Sequence, residues 1–399
     1  MDKANNSNNS NSNWPIIVHC HLRWDGVWQR PQQFLSRLSL KHPVLFVEGP
    51  ILVEGDRSEA KLYQAPKYPN ITILQPFIPK ARFHDGVWVD RERHRLVQEA
   101  LAREVPGNFR APVQWFYDPM AVTAFAGKMN ERAIVYDCMD ELSQFKFAPP
   151  EIVSRERELL AQADVVFTGG RRMCQSKSRF NDNCHFYGCG VEVSHFGKAR
   201  SQELEVPEEL RQLNGPVLGY FGVVDERLDY ELIAALVAAN SDWHVVMVGP
   251  VVKVDPASLP QHPRLHWLGR REYADLPAYT KGFAVCLMPF ALNEATEYIN
   301  PTKALEYMAT GKPIVSTAVS DVVANFGSVV KVARSQEQFI EFCQREVKNP
   351  DGAAISAGLR MAAENEWDVI VQALESHVEE ALMKKEKSAP SKPLSLAPA

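Results

Sequence analysis

Short apolar runs alternate with longer segments of helical period along most of the chain, and this alternation occurs twice. Such alternation is typical of βα units that wind a parallel sheet. In the first half, the pattern predicts strands over residues 15–20, 43–47, 71–74, 113–117, 133–137 and 165–168, with helices over 31–40, 90–104, 149–161 and 171–180. In the second half, it predicts strands over residues 217–221, 244–248, 265–268, 284–288, 313–316 and 329–332, with helices that begin near Leu228, Tyr273, Thr302 and Gln336.

The two sets predict two doubly wound α/β domains, since a charged, turn-rich stretch separates them. The predicted parts are a disordered Asn/Ser tail over 1–13, a first domain over 14–200, a linker over 201–214, a second domain over 215–366, a helix over 367–385 and a disordered tail over 386–399. The last helix either crosses back over the hinge or only closes the second domain. Sheets of this kind bind ligands at the carboxyl ends of their strands, so we expect the site in a cleft between the two facing sheets.

Composition excludes several function classes. The 399 residues carry a net charge of -5, which leaves no basic field for nucleic acid. The longest apolar stretch, over 283–292, is interrupted by Pro289 and is too short to span a membrane. Seven scattered cysteines form no CxxC pair, so neither disulfides nor a zinc site is indicated and a reducing, cytoplasmic location is expected.

The most informative motif is NPTKALEYMATGKP, at residues 300–313. Pro301 excludes helical geometry for the residue before it, and Gly311 suits a left-handed C-cap, so a short helix presents its N-terminus at the mouth of the sheet. Free N–H groups there and the charge of Lys303 suit a phosphate group, and the Glu306 carboxylate, one turn on, can accept hydrogen bonds from a ribose. The alternative is that Lys303 and Glu306 form an ordinary exposed ion pair.

Two further segments follow predicted strands. GYFGVVDER, at residues 219–227, brings Gly222 to a strand end where backbone must approach a neighbour closely, and the Arg227 guanidinium suits phosphate oxygens. The alternative is a plain turn with a solvated arginine. In the first domain, Asp137 and Asp140 stand at a carboxyl strand end, where either carboxylate is a candidate catalytic group facing the cleft, and Asp137 can instead cap backbone N–H groups.

An aromatic loop, WDGVWQRP at residues 24–31, follows the first strand. The Trp24 ring can stack on a sugar, and Arg30 can bind an anionic group. Trp24, Gln29 and Arg30 are therefore the candidates for contact with an acceptor or a sugar. The alternative is a loop packed on its own domain. His19 and His21 lack a third ligand, so no metal is expected. The basic cluster over 82–95 is interleaved with acids and predicts a solvated face, with membrane-surface contact as the alternative.

Several of these segments carry a family resemblance. The runs NPTKALEYMATGKPIVST, GYFG, DVVFTGG and YGCGVEVSHF resemble glycosyltransferases of the GT-B fold, in particular the GT4-like group. WDGVWQRPQQFLSRL and VYDCMDELSQF are similar to a subgroup that includes teichuronic-acid and exopolysaccharide transferases. The resemblance implies a GT-B fold with two Rossmann-like domains, a nucleotide-diphosphate sugar as donor, with uridine preferred, and a glycan or lipid-linked acceptor in bacterial polysaccharide synthesis.

The resemblance also implies residue roles. Glu306 matches the second glutamate of the family's E-x7-E motif and would hold the ribose, whereas Tyr298 stands at the first position, so the motif is incomplete. Lys303 would contact the diphosphate and Gly222 would admit it. Asp140 resembles a general base, and the segment of His195 is similar to the connection between the domains. The complete set of donor-binding candidates is Gly222, Arg227, Tyr298, Asn300, Thr302, Lys303 and Glu306.

The expected protein is thus a metal-independent glycosyltransferase without a cofactor, cytoplasmic, with peripheral contact to the inner face of the membrane as one option. Two alternatives remain open. A nucleotide-sugar epimerase would turn over the donor without an acceptor. A catalytically silent nucleotide-sugar-binding protein would agree with Tyr298 at the motif position. Stereochemistry is also open, because the GT4 group implies retention and a base at Asp140 implies inversion.

Overall fold

The computed structural model describes residues 13–103, 105–145, 148–293, 296 and 302–388. The two tails predicted to be disordered lie outside these residues, apart from Asn13 and the segment 386–388. Contacts between Cα atoms divide the chain into two compact units. Unit 1 comprises the residues up to Gly188 and those from Ile370 onward, and unit 2 is Cys189–Val369. The segment 189–214, which the sequence divides between the first domain and a linker, therefore counts with unit 2.

Unit 1 contains a nine-stranded sheet in the order β3-β5-β2-β1-β6-β7-β8-β9, with β4 paired to β5. Its strands and helices are β1 (Ile16–Cys20), α1 (Arg30–Leu38), β2 (Val44–Glu48), β3 (Ile51–Val53), β4 (Glu59–Gln64), β5 (Ile71–Pro79), α2 (Gly86–Arg103), β6 (Val113–Phe116), α3 (Val122–Phe125), β7 (Ala133–Cys138), α4 (Ile152–Gln162), β8 (Val165–Thr168), α5 (Arg171–Lys177) and β9 (Cys184–Phe186). All pairings are parallel except that of β4 with β5.

Unit 2 contains a parallel six-stranded sheet in the order β12-β11-β10-β13-β14-β15. Its elements are α6 (Val193–Phe196), α7 (Glu208–Arg211), β10 (Val217–Phe221), α8 (Tyr230–Ala238), β11 (His244–Val248), β12 (Leu265–Gly269), α9 (Leu276–Gly282), β13 (Val285–Met288), α10 (Lys303–Thr310), β14 (Ile314–Thr317), α11 (Ser320–Phe326), β15 (Lys331–Ala333), α12 (Gln336–Lys348) and α13 (Gly352–Glu364). The prediction of two doubly wound parallel sheets is therefore confirmed.

Local chemistry explains where the helices of unit 2 begin and end. The side chains of Asp229, Ser335 and Asp351 accept hydrogen bonds from backbone N–H groups in the first turns of α8, α12 and α13. α10 ends at Gly311, whose φ of 72° is the left-handed conformation predicted for this C-cap. Each cap satisfies terminal backbone groups that the helix leaves unpaired.

The final helix, α14 (Trp367–Ser388), extends three residues beyond its predicted end. Its apolar positions Ile370, Leu374 and Val378 are at most 4% exposed. The Glu375 carboxylate accepts hydrogen bonds from Lys41 Nζ at 2.7 Å and from His42 Nε2 at 3.0 Å. From Ile370 onward, the helix therefore belongs to the packing of unit 1.

Candidate functional site

The N-terminus of α10 brings several predicted donor-binding residues of unit 2 together. Lys303 Nζ lies 5.9 Å from the ring centroids of both Tyr220 and Phe221, at the carboxyl end of β10. An ideal Cβ placed on Gly222 would lie 2.0 Å from Lys303 Cε and 2.7 Å from its Nζ. Gly222, which follows β10, and Lys303, which begins α10, are thus in contact although 81 positions separate them.

Aromatic packing fixes this end of α10 against the sheet. The Phe221 N–H donates a hydrogen bond to the Tyr307 hydroxyl at 3.0 Å, and the two rings pack edge to face at 4.9 Å. Phe196 of α6 stacks on Phe221, with 5.7 Å between the ring centroids. Because Tyr307 is fully buried, α10 cannot rotate without breaking this packing. Lys303 and Glu306 are held on the half-buried face of the helix.

Lys303 and Glu306 lie close enough to influence each other but do not form an ion pair. Within the residues that the structure describes, neither charged group has a hydrogen-bond or ion-pair partner. Burial lowers the pKa of Lys303, and the negative charge of Glu306 partly opposes this shift. Burial likewise raises the pKa of Glu306, against the charge of Lys303. The alternative of an exposed ion pair is therefore wrong, and both groups are available to a polar ligand.

Backbone spacing explains why glycine is needed at this strand end. Gly222 has a φ of 143° and Gly249 a φ of 154°, which are conformations that side chains disfavour. A Cβ on Gly249 would lie 1.7 Å from the Gly222 carbonyl oxygen. The Gly222 N–H donates to Val248 O at 2.8 Å. The two strand ends, β10 and β11, therefore approach through bare backbone, with Lys303 packed directly against Gly222.

Arg227 is engaged by a residue that the sequence analysis did not single out. Its Nε and Nη2 donate to Asp225 Oδ1 and Oδ2 at 2.9 and 2.7 Å. The arginine is 40% exposed and the aspartate is 6% exposed. The positive charge of Arg227 adds to the lowering of the pKa of Lys303. Arg227 thus lies close enough to influence Lys303. Its guanidinium, which was expected to bind a phosphate, already donates hydrogen bonds to Asp225.

The remaining donor candidates are only partly described. Thr302 immediately precedes α10, and its carbonyl accepts from the Leu305 and Glu306 N–H groups at 3.0 and 3.2 Å. The predictions for Tyr298 and Asn300 lie outside the described residues.

In unit 1, Asp137 and Arg30 bind each other. Arg30 Nε donates to Asp137 Oδ1 at 2.9 Å, and the two side chains are 4% and 0% exposed. Arg30 Nη1 also donates to the carbonyl of Tyr187 at 2.5 Å. Burial of this depth leaves neither group accessible to a substrate, which corrects the roles expected for Asp137 in catalysis and for Arg30 in substrate contact. The pair instead ties α1 to β7 and to the chain near Tyr187.

Asp140 is placed differently, two residues beyond β7. Its side chain is half-buried, and within the described residues its carboxylate has no hydrogen-bond partner. Burial raises the pKa of Asp140, while the charges of His21 and Arg30 act in the opposite direction. A carboxylate with a raised pKa and free oxygens is suited to accept a proton.

The aromatic loop packs on its own domain. Trp24 is 3% exposed and packs edge-on against Phe46 and Tyr68 at 5.4 and 5.9 Å. It is therefore a core residue, and the expectation that it stacks on a sugar is wrong. Gln29 is exposed and forms the N-cap of α1. Trp28, 43% exposed, is the ring of this loop that remains accessible.

Unit 1 contains a cavity of about 730 Å³ that was not predicted from the sequence. It opens at the carboxyl ends of β1, β2, β6 and β7, where the strand order of the sheet reverses direction and α/β proteins bind ligands. His21, Arg93 and Asp118 line it, and Arg93 is 5% exposed rather than part of a solvated face. His21 follows β1, Arg93 lies inside α2 and Asp118 follows β6. Because these residues are far apart along the chain, those positions are the only signal in the sequence that they line one cavity.

The described residues contain neither a metal-binding cluster nor a helix suited to cross a membrane. Among the residues with a described placement, no group of three or more His, Cys, Asp or Glu side chains is arranged to hold a metal ion. His19 is buried and hydrogen-bonded to Gln114 at 2.8 Å, and burial lowers its pKa to about 3. Over the same described part of the chain, no helix has the length and apolarity needed to cross a membrane.

Within unit 2, the sequence is similar to a known protein family. Residues 215–348 match the sequence profile of the family "Glycosyl transferases group 1". A stretch of 205 residues is 25% identical to the "Putative teichuronic acid biosynthesis glycosyltransferase TuaH" of Bacillus subtilis (strain 168). That match covers 46% of this chain and 50% of the relative, so the alignment spans half the length of the relative.

Solved structures resemble nearly the whole chain. An α,α-trehalose 6-phosphate synthase from Burkholderia multivorans matches with a TM-score of 0.65 at 14% identity, over 96% of this chain and 100% of the other. A sucrose-phosphate synthase from Thermosynechococcus elongatus matches with a TM-score of 0.59 at 14% identity, over 93% and 100%. At such identities the likeness establishes the fold alone. The chain therefore has the GT-B fold of these solved structures, and its residues 215–348 are similar to the glycosyl transferases group 1 family.

Proposed function

We propose that this protein is a glycosyltransferase that moves a sugar from a nucleotide diphosphate, preferably UDP, to a glycan or lipid-linked acceptor. The observation that carries the proposal is the contact of Gly222 with Lys303 at the N-terminus of α10, inside the glycosyl transferases group 1 domain. The name of the Bacillus subtilis relative supports a place in bacterial polysaccharide synthesis.

The donor chemistry follows from the charges at α10. The helix N-terminus and the Lys303 ammonium would bind the diphosphate, and the bare backbone at Gly222 would allow Lys303 to lie at this strand end. Glu306 would accept hydrogen bonds from the ribose hydroxyls. Because a full positive charge and a helix dipole then face the leaving group, the diphosphate can be stabilised by the protein itself, and we propose that transfer needs no metal ion.

Asp140 is the proposed base in unit 1. Its free, half-buried carboxylate would take the proton from the acceptor hydroxyl as that oxygen attacks the anomeric carbon. The bond from the anomeric carbon to the diphosphate oxygen then breaks, and the nucleotide diphosphate leaves. A base acting in this way predicts inversion at the anomeric carbon.

The proposal is tested by calorimetric titration of UDP, GDP and ADP in EDTA. One of them should bind the wild type, and Lys303→Ala and Glu306→Ala should each weaken that binding by about 1–3 kcal/mol. The matched controls are Lys348→Ala and Glu337→Ala, exposed residues of α12 that should change nothing. Wild-type protein that binds none of the three nucleotides, or variants that bind as well as their controls, would refute the donor site.

A further inference from the structure

Two cysteines of unit 1 lie side by side, although ten positions separate them along the chain. Cys174 is on α5, and Cys184 is the first residue of β9. α5 follows β8, and the chain then returns as β9 to pair in parallel with β8. This return brings the two Sγ atoms to 3.9 Å from each other. Two cysteines that are scattered along the sequence are therefore neighbours in the structure.

The backbone at the two cysteines is also close. Cys174 Sγ lies 3.8 Å from the carbonyl oxygen of Cys184, and Cys184 Sγ lies 3.9 Å from the carbonyl oxygen of Cys174. A disulfide bond is about 2 Å long, so the two sulfurs have to approach by about 2 Å. Rotation of the two side chains about their Cα–Cβ bonds provides a movement of this size. The geometry therefore suits a disulfide between α5 and β9.

Exposure separates this pair from most of the other cysteines. Four of the seven cysteines are at most 1% exposed, namely Cys20, Cys138, Cys286 and Cys343. Cys174, Cys184 and Cys189 are half-buried. Because oxidation of a thiol requires access to it, a reagent dissolved in water reaches these three before the other four.

We propose that Cys174 and Cys184 form a site of reversible oxidation, at which a small-molecule disulfide, such as oxidised glutathione, converts the two thiols into one disulfide bond. The inference goes beyond the proposed function and is independent of it, because this chemistry uses neither a nucleotide nor an acceptor. The protein thiols are oxidised, and the small-molecule disulfide is reduced to two thiols.

The reaction consists of two thiol–disulfide exchanges, and the surroundings of the pair set their order. Burial raises the pKa of the Cys184 thiol to about 12, and the charge of a Cys174 thiolate adds to this rise. The Cys174 thiolate therefore attacks first, which gives a mixed disulfide and releases one glutathione thiolate. Cys184 then loses its proton and attacks the Cys174 sulfur. The protein disulfide forms, and the second glutathione thiolate leaves.

The same helix also holds the segment that carries Asp140. Lys177, at the end of α5, is 4% exposed, and its Nζ lies 2.7 Å from a Glu156 carboxylate oxygen and 2.8 Å from one of Glu141. Glu141 is the residue after Asp140. A bond between α5 and β9 would restrain this helix and slow its local opening, because a cross-link removes conformations from the open state.

The test treats the full chain with oxidised glutathione and then blocks the remaining thiols with iodoacetamide. Trypsin cuts between the two cysteines, which then lie in the peptides 173–177 and 180–198. Mass spectrometry should find these peptides joined, with a mass two hydrogen atoms below their sum, and dithiothreitol should separate them.

Two variants identify the sulfurs that react. The peptide 180–198 also contains Cys189, so Cys189→Ser is the matched control and should form the same cross-link in the same yield. Cys184→Ala should stop at the mixed disulfide and keep glutathione on Cys174. A cross-link that runs through Cys189, or a folded wild type that forms no cross-link, would overturn the site.

Hydrogen–deuterium exchange tests whether the bond forms within the native packing of α5. Oxidation of the wild type should slow amide exchange in α5 by about tenfold or more, and oxidation of Cys184→Ala should leave it unchanged. Exchange in α5 that is equally fast in the cross-linked and the reduced wild type would show that the bond does not restrain the helix. UDP titration of the same samples bears on the proposed function alone.

Discussion

Gly222 shows how one residue without a side chain shapes the proposed donor site. Its φ of 143° and its contact with Lys303 impose two separate demands, one on the backbone and one on space. The first is met at low cost only by glycine. The second demand affects ligand binding. Any atom added at Gly222 would occupy the space that the Lys303 side chain now fills and would displace that lysine, which is proposed to bind the nucleotide.

Gly222→Ala should therefore lower both stability and nucleotide affinity. We expect a loss of about 1–3 kcal/mol in the free energy of unfolding, from backbone strain, together with weaker UDP binding, since the new methyl group displaces Lys303. Urea denaturation and calorimetry measure the two effects. Gly55→Ala is the matched control, because Gly55 has a φ of 112° with no atom within 4 Å of an added Cβ. If both variants keep wild-type affinity, the contact with Lys303 is irrelevant to binding.

The Arg30–Asp137 pair predicts a different result, because its role is structural. Arg30→Met leaves the Asp137 carboxylate buried without its partner, and should lower the free energy of unfolding by about 3–5 kcal/mol. The double variant Arg30→Met/Asp137→Leu removes both charges and should recover most of the loss. UDP affinity should not change in either protein. A loss below about 1 kcal/mol in the single variant would show that Asp137 is not held by the arginine as described.

These residues also mark how far the sequence can predict a site. The positions of Gly222 and Lys303 could be predicted, because one follows a strand end and the other begins a helix. The pairing of Arg30 with Asp137 could not, since 107 positions separate them and only the packed sheet brings them together. The burial of Trp24 depends in the same way on Phe46 and Tyr68.

At the scale of elements, the central strands were predicted well because their runs are apolar throughout. β8, β10 and β11 begin and end at the predicted residues. The prediction missed β3, β4 and β9, which are short or lie towards the edges of the sheet. β4, for example, has no buried residue and pairs antiparallel with β5. Such strands form because a partner is present, which no local pattern records.

α10 itself predicts a pH dependence of nucleotide binding. The Lys303 ammonium must be charged to attract a diphosphate, and burial lowers its pKa below the usual value of a lysine. As pH rises from about 7 to about 10, the wild type should lose UDP affinity at a lower pH than an ordinary lysine would allow. Lys303→Arg keeps its charge over this range, so its affinity, although weaker near neutrality, should stay constant. Equal declines in both proteins would assign the titration to another group.

At the scale of the whole molecule, unit 2 is one continuous segment whose two ends meet. The Val191 N–H donates to Asn365 O at 3.0 Å, and the Trp367 N–H donates back to Val191 O at 3.2 Å. Gly190 lies against the Trp367 ring, where an added Cβ would come within 2.7 Å. The hydrophobic cluster around β10 draws all its buried members from unit 2. Unit 2 therefore has its own hydrophobic core, and hydrogen bonds join its two ends.

A protein comprising residues 189–369 should consequently fold alone. We expect a single cooperative unfolding transition and UDP binding that Lys303→Ala weakens as it does in the full chain. Thermal unfolding monitored by circular dichroism, followed by calorimetry, tests both points. A fragment that folds but does not bind would place part of the donor site outside unit 2, and one that stays unfolded would contradict the independence of its core.

The same division sets an order of events during synthesis. Unit 1 needs α14 residues such as Leu374 and Val378, which leave the ribosome only after all of unit 2 has been made. At roughly 5–20 residues per second, translation of Cys189–Val369 takes about 10–40 s. During that interval the nascent first unit lacks its last helix. A chain whose synthesis has reached residue 369 therefore still has an incomplete unit 1, with the surface that α14 covers open to chaperones.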